Sequence, residues 1–158
     1  MTRIPWTQWW VIALLIVASP IIIPFVLIGL GIHLTIRLGL HIMVWGWWVP
    51  RGQDTLFVYS DSPVWQRHIE NQILPALESR AIVLNWSERA SWPFGLAAAV
   101  FRHFGGAREF NPMAIVFRPF RPARVFRFWQ PFREKKYGKP EALERLEHEL
   151  FAYLRTGR

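Results

Sequence analysis

The stretch VYSDSPVWQR, residues 58–67, decides how this chain is read. Its first residues close an apolar run, TLFVYS (55–60), that reads as a buried strand. Its last residues open a segment with Trp65, Ile69, Ile73 and Leu77 at helical spacing. A strand passing directly into a helix is where several α/β folds place their chemistry. Ser62-Pro63-Val64-Trp65 is therefore either an active site or the remnant of one.

Downstream, AIVLNW (81–86) reads as a second buried strand, which completes a βαβ unit with parallel strands. WPFGLAAAVFRHF (92–104) reads as a helix ended by Gly105-Gly106. MAIVFRP (113–119) and RVFRFW (124–129) read as an antiparallel hairpin joined through Phe120 to Ala123. KPEALERLEHELFAYLRTG (139–157) carries Pro140 near its start, Glu141 and Glu144 in its first turns and Gly157 at its end, the local signals of a helix. No internal repeat or low-complexity segment interrupts this order.

Upstream the chemistry changes. From Trp9 to Trp48 the ionisable side chains are His33, Arg37 and His41, whereas all 11 Asp and Glu lie beyond Arg51. Trp9 to Ile32 carries no charge, and about 20 residues at a rise of about 1.5 Å cross a hydrocarbon core, so a spanning helix is expected. Pro20 directly after Val17-Ala18-Ser19 argues against signal cleavage. Pro20 and Pro24 should kink the span, and Trp6, Trp9 and Trp10 suit a headgroup belt. His33, Arg37 and His41, spaced by four, form one polar stripe, the pattern of a second helix lying in the membrane interface. A hairpin turning at Gly29-Leu30-Gly31 is the alternative, and it would put Arg37 in mid-bilayer at about 2.5–3.5 kcal/mol. His33 or His41 would be the residue to ligate a haem or chlorophyll-type metal, but nothing else in the chain completes such a site. The expected organisation is a tail and transmembrane helix (1–32), an interfacial helix and linker (33–50) and a water-soluble domain (51–158). Arg37, Arg51 and the basic domain behind them place that domain on the cytoplasmic side of a bacterial-type inner membrane, with Arg3 pulling the other way in a single span.

The order β-α-β-α-β-β-α, with a helix starting directly after the first strand and an X-Pro step before the third, resembles the thioredoxin/glutaredoxin fold. The resemblance covers about residues 54 to 156 and rests on element order and two prolines. That family carries Cys-Pro-x-Cys where Ser62-Pro63-Val64-Trp65 stands here, and a cis-proline facing the motif where Asn111-Pro112-Met113 stands. The resemblance therefore implies a degenerate site of Ser62, Pro63, Trp65 and Pro112, with both cysteines replaced.

The chain has no cysteine at all, which excludes thiol redox chemistry, disulfides and thiolate metal sites. Ser62 is expected to cap the following helix, with Pro63 at its first position. His68 is six residues further on, turned to a different helix face, and nothing forms a nucleophile elbow.

Between Arg102 and Lys139 there are ten Lys or Arg but only Glu109 and Glu134. Within FRPFRPARVFRFWQPFREKK, Arg118, Arg121, Arg124 and Arg127 interleave with Phe120, Phe126, Phe128 and Trp129. Such a surface would hold a protein partner, anionic lipid headgroups or, less in keeping with a tether, nucleic acid. The structural alternative is one aromatic core face and one solvated arginine face, as pleating requires. The expected function is a noncatalytic accessory subunit, without cofactor, that binds a larger integral-membrane complex of respiratory or photosynthetic type through Arg118, Arg121, Arg124, Arg127, Phe128 and Trp129. The other class is an enzyme or sensor that takes a peptide or thiol ligand in the cleft around Ser62 and Pro112 without cysteine chemistry. A cleft filled by Trp65 would argue against it.

Overall fold

Four strands form one mixed sheet in the order β2-β1-β3-β4, with β1 at Thr55–Tyr59, β2 at Ala81–Asn85, β3 at Met113–Arg118 and β4 at Arg121–Arg127. The computed structural model describes residues 6–106 and 111–156, with side chains from residue 18 onward. Arg3 and the side chains of Trp6, Trp9 and Trp10, invoked above for orientation and the headgroup belt, lie outside the described residues.

β1 and β2 are parallel, Thr55 opposite Ala81 and Tyr59 opposite Asn85. β1 pairs antiparallel with β3, and β3 with β4, so the βαβ unit and the hairpin share the central strands. β2 lies at a sheet edge and is half-buried, not the buried strand its composition suggests. An apolar run reports burial only where both faces and both edges are covered.

The segment after β1 is helical from Gln66 to Leu77, but in three pieces: α2 (Gln66–His68), a π turn (Ile69–Ile73) and α3 (Leu74–Leu77). Pro75 explains the wide turn, since its ring would meet the Asn71 carbonyl in a regular α-helix. Ile69, Ile73 and Leu77 are buried as their spacing predicts. α4 spans Leu96–Phe104, preceded by 3-10 turns over Trp86–Ser91, and α6 spans Glu141–Arg155. One helix escaped the sequence reading: α5, Trp129–Lys136, takes the chain where the end of a strand was expected.

Each sheet face has its own core. Phe57, Ala114, Val116 and Phe126 pack with Ile69, Leu77, Phe132 and Leu150 on one side. Leu56, Val58, Ile115 and Phe117 pack on the other with Val100, Phe101 and Phe104 of α4, and with Leu40, Val44 and Trp48.

Those last three residues come from the long apolar helix. α1 is a single helix, Trp6–Trp47, with Pro20 and Pro24 inside it. It is long and apolar enough to cross a membrane over Ala18–Arg51. The separate interfacial helix of 33–50 is therefore not formed, and neither is the hairpin at Gly29–Gly31. No proline follows Pro24 until Pro50, and isolated glycines do not stop an apolar helix, so nothing breaks it. The chain divides into compact units after Gly39, so the domain begins at Leu40, inside α1, and not beyond the Val49–Gly52 turn.

Candidate functional site

Ser62 sits in a tight turn at the C-terminal end of β1. Its N–H donates to the Ser60 carbonyl (2.7 Å), its carbonyl accepts from Gln66 N–H (2.9 Å), and its hydroxyl accepts from Val64 N–H at 3.4 Å. The cap reading holds only in this reduced form. The helix proper starts at Gln66, Trp65 occupies the cap position, and no side chain caps it. Pro63 lies in the turn before the helix and not at its first position.

Trp65 ties the turn to its own helix start. Its indole N–H donates to the Ser60 carbonyl (3.0 Å), its ring lies 6.2 Å from Phe132, and it packs on the core of that sheet face. The Ser60 hydroxyl donates to Asn111 Oδ1 at 2.9 Å, which brings the turn beside Asn111–Pro112, a cis peptide bond. Asp61 N–H donates to the Ser87 hydroxyl (3.0 Å), and Asn85 Nδ2 donates to Asp61 Oδ1 (2.9 Å), tying the turn to the end of β2. Nearby, Tyr59 donates to Glu70 (3.2 Å). Its phenol is pushed above the ordinary value by desolvation first, then by the Glu70, Asp61 and Glu88 charges.

His68, the base nearest to Ser62 in sequence, has both ring nitrogens engaged. Nδ1 faces Lys135 Nζ at 3.1 Å and Nε2 faces Glu147 Oε1 at 2.6 Å. An ammonium only donates, so Nδ1 accepts and the ring proton sits on Nε2, donated to Glu147. The arrangement ties α2 to α5 and α6.

His33 is exposed on α1. His41 is buried among Trp45, Phe104 and Phe117, with Nε2 accepting from Ala123 N–H at 3.1 Å. Among the described residues no three His, Asp or Glu converge as a metal site.

The arginines of the hairpin are largely engaged within the domain. Arg118 lies 3.5 Å from the Tyr153 ring centroid and donates to the Thr156 hydroxyl. Arg124 pairs with Glu149 and spans the Phe126 and Tyr153 rings. Arg127 donates to the Gly105 carbonyl at 2.6 Å. Gly105 has no room for a Cβ, which would lie 2.6 Å from the Phe101 carbonyl, and Gly106 turns away at φ +89. The two glycines thus present that carbonyl to Arg127. Arg121 is exposed.

Phe128, expected as a partner anchor, is 0% exposed and is corrected to core: it lies against Phe57 and Phe132. The pleat turns it inward after Arg127 turns out, and α5 closes over it. Trp129 is half-buried under the Arg133 guanidinium, 5.1 Å away. Arg127, Pro131, Arg145, Leu146 and Glu149 line a hollow of about 320 Å³. Sequence reasoning missed Arg145, because α6 reads from sequence as an isolated amphipathic helix and only packing brings it beside β4. No protein-family model, curated protein or solved structure matches the chain.

Proposed function

We propose that the chain is a noncatalytic, membrane-anchored accessory subunit. Its domain is a redox-inactive relative of the thioredoxin fold that binds an integral-membrane protein complex from the cytoplasmic side. The observation that carries this reading is that the helix long and apolar enough to cross a membrane ends inside the core of the domain, through Leu40, Val44 and Trp48. An anchor whose last turns are domain core suits a subunit that must hold its domain at a membrane surface, more than one that lets it roam on a linker.

The thioredoxin-like part is supported by the element order, by the parallel β1–β2 pair joined to the β3–β4 hairpin, and by the position of Asn111–Pro112 beside the Ser60–Ser62 turn. The noncatalytic part is supported by both ring nitrogens of His68 being engaged by Glu147 and Lys135, and by the Trp65 indole closing on the Ser60 carbonyl. For the partner face we take Trp129 and the Arg127–Arg145 hollow rather than the whole arginine row, because Arg118 and Arg124 are engaged within the domain and aromatic and arginine anchors carry most of an interface's energy. The test is to solubilise native membranes in a mild detergent and ask whether the full chain migrates with a larger integral-membrane protein. A chain that runs alone under every mild condition would contradict the reading.

A further inference from the structure

We propose that the domain enters the surface of a phospholipid bilayer through two aromatic loop tips, Phe94 and Phe120, one on each flank of the end of α1. The inference rests on reading α1 as a membrane span, and not on any protein partner.

Phe120 is 93% exposed in the two-residue turn Pro119–Phe120 between β3 and β4. Its φ is +58, a left-handed conformation that an aromatic residue rarely adopts and that Gly or Asn would take with less strain. The turn therefore holds out a large apolar ring at a position whose backbone favours another residue. That ring lies 5.6 Å from Trp45 of α1. Phe94 is 100% exposed between Pro93 and Gly95, two residues before Leu96. Leu96 in turn lines an apolar hollow of about 490 Å³ with Met43, Gly46 and Trp47 of α1. Phe120 and the segment from Phe94 to Leu96 thus flank the same helical turns, by way of Trp45 on one side and Met43 and Trp47 on the other.

Those turns are apolar on their outer side as well. Leu40, Val44 and Trp48 point into the domain, which leaves Ile42, Met43 and Trp47 facing out and exposed. Between Arg37 and Arg51 the only ionisable side chain is His41, and it is buried. Single exposed apolar residues are ordinary on a soluble protein, but a contiguous apolar surface rimmed by cations marks a binding surface.

The rim here is cationic. Arg51 lies 4.3 Å over the Trp47 ring and donates to the Trp47 carbonyl, and Arg121 follows Phe120 on the surface. Tryptophan paired with arginine matches the depth where hydrocarbon meets phosphate. The occupant is lipid because the patch continues the outward apolar face of a helix long enough to span a bilayer, and its rim carries the charge that phosphates need.

The absence of cysteine makes the test direct. The full chain carrying Phe94→Cys or Phe120→Cys is spin-labelled and reconstituted into liposomes of phosphatidylcholine and phosphatidylglycerol, with Tyr137→Cys, exposed just past the end of α5, as the aqueous reference. Collision with oxygen, which concentrates in hydrocarbon, should exceed collision with a water-soluble nickel complex at both tips, by several-fold relative to position 137. A label at either tip as accessible to nickel as position 137 would overturn the proposal, and so would a label shielded from both reagents, which would mean cover by the chain itself or by a second copy of it. The liposomes hold no other protein, so the outcome is independent of whether the accessory-subunit reading stands.

Discussion

The Nε2 of His41 accepts a hydrogen bond from the Ala123 backbone N–H at 3.1 Å, joining the last turns of α1 to the edge strand β4. Among the described residues β4 has no strand beyond it, and a free edge invites pairing with another chain. Here Pro122 has no N–H to offer, Ala123 gives its own to His41, and Arg121, Arg124 and Arg127 line the strand. The stripe that reads in sequence as a lipid-surface face thus ends in a residue that closes the sheet.

Replacing that acceptor leaves the part-buried Ala123 N–H without a partner. His41→Leu should lower unfolding stability by about 1–3 kcal/mol, measured as a lower thermal midpoint of the full chain in detergent. His41→Gln, which can accept through its amide oxygen, should recover part of the loss.

The role of α1 in the core predicts how the domain can be cut. A fragment beginning at Gln53 strips Leu40, Val44 and Trp48 from Val100, Phe104 and Phe117. It should bind a hydrophobic dye and unfold without cooperativity. A fragment that retains Leu40–Trp48 should unfold cooperatively, and in the full chain Trp48→Ala should cost about 3–5 kcal/mol.

Apart from α5, the elements of residues 55–156 were legible because alternation between strand and helix periods is local information. The parallel pair, the hairpin and α6 follow from it directly. What could not be read depends on distant packing. The His33–Arg37–His41 spacing suits an interfacial helix as well as one that docks on a sheet, and only the Phe104–Phe117 surface decides for the stretch from Leu40 onward. Likewise Phe120, Phe126 and Phe128 look alike in an alternating run, yet the turn exposes the first while the core on one sheet face absorbs the other two. Gln130-Pro131 was the available signal for α5, since proline suits the first turn of a helix.

Ser62 is a structural residue in this account. Ser62→Ala should cost at most about 0.5 kcal/mol, the low end for a cap, because its hydroxyl meets Val64 N–H only at 3.4 Å. Neither the parent nor the variant should reduce an insulin-type disulfide. Turnover of any substrate abolished by Ser62→Ala would refute the scaffold role.

Tyr59 sets an alkaline limit. Its folded pKa is raised above 10.0, so folding favours the protonated phenol; that contribution is complete below pH 10.0 and is lost as pH rises through the raised value. Tyr59→Phe should remove a tyrosinate absorbance component titrating above pH 10.0 and flatten the alkaline fall in thermal midpoint. An unchanged titration would place the phenol outside the Glu70 environment.

The claim that the chain binds an integral-membrane protein through a specific face is tested most directly by quantifying the complex retained after mild-detergent extraction of membranes carrying single variants. Trp129→Ala should release the chain almost completely, a loss of at least about 2 kcal/mol as expected for an interface anchor. Charge reversal at Arg118 or Arg124, both already engaged within the domain, should change retention little. Equal, additive losses at Arg118, Arg121, Arg124 and Arg127 with Trp129→Ala unaffected, or a parent chain that is retained by nothing, would contradict it.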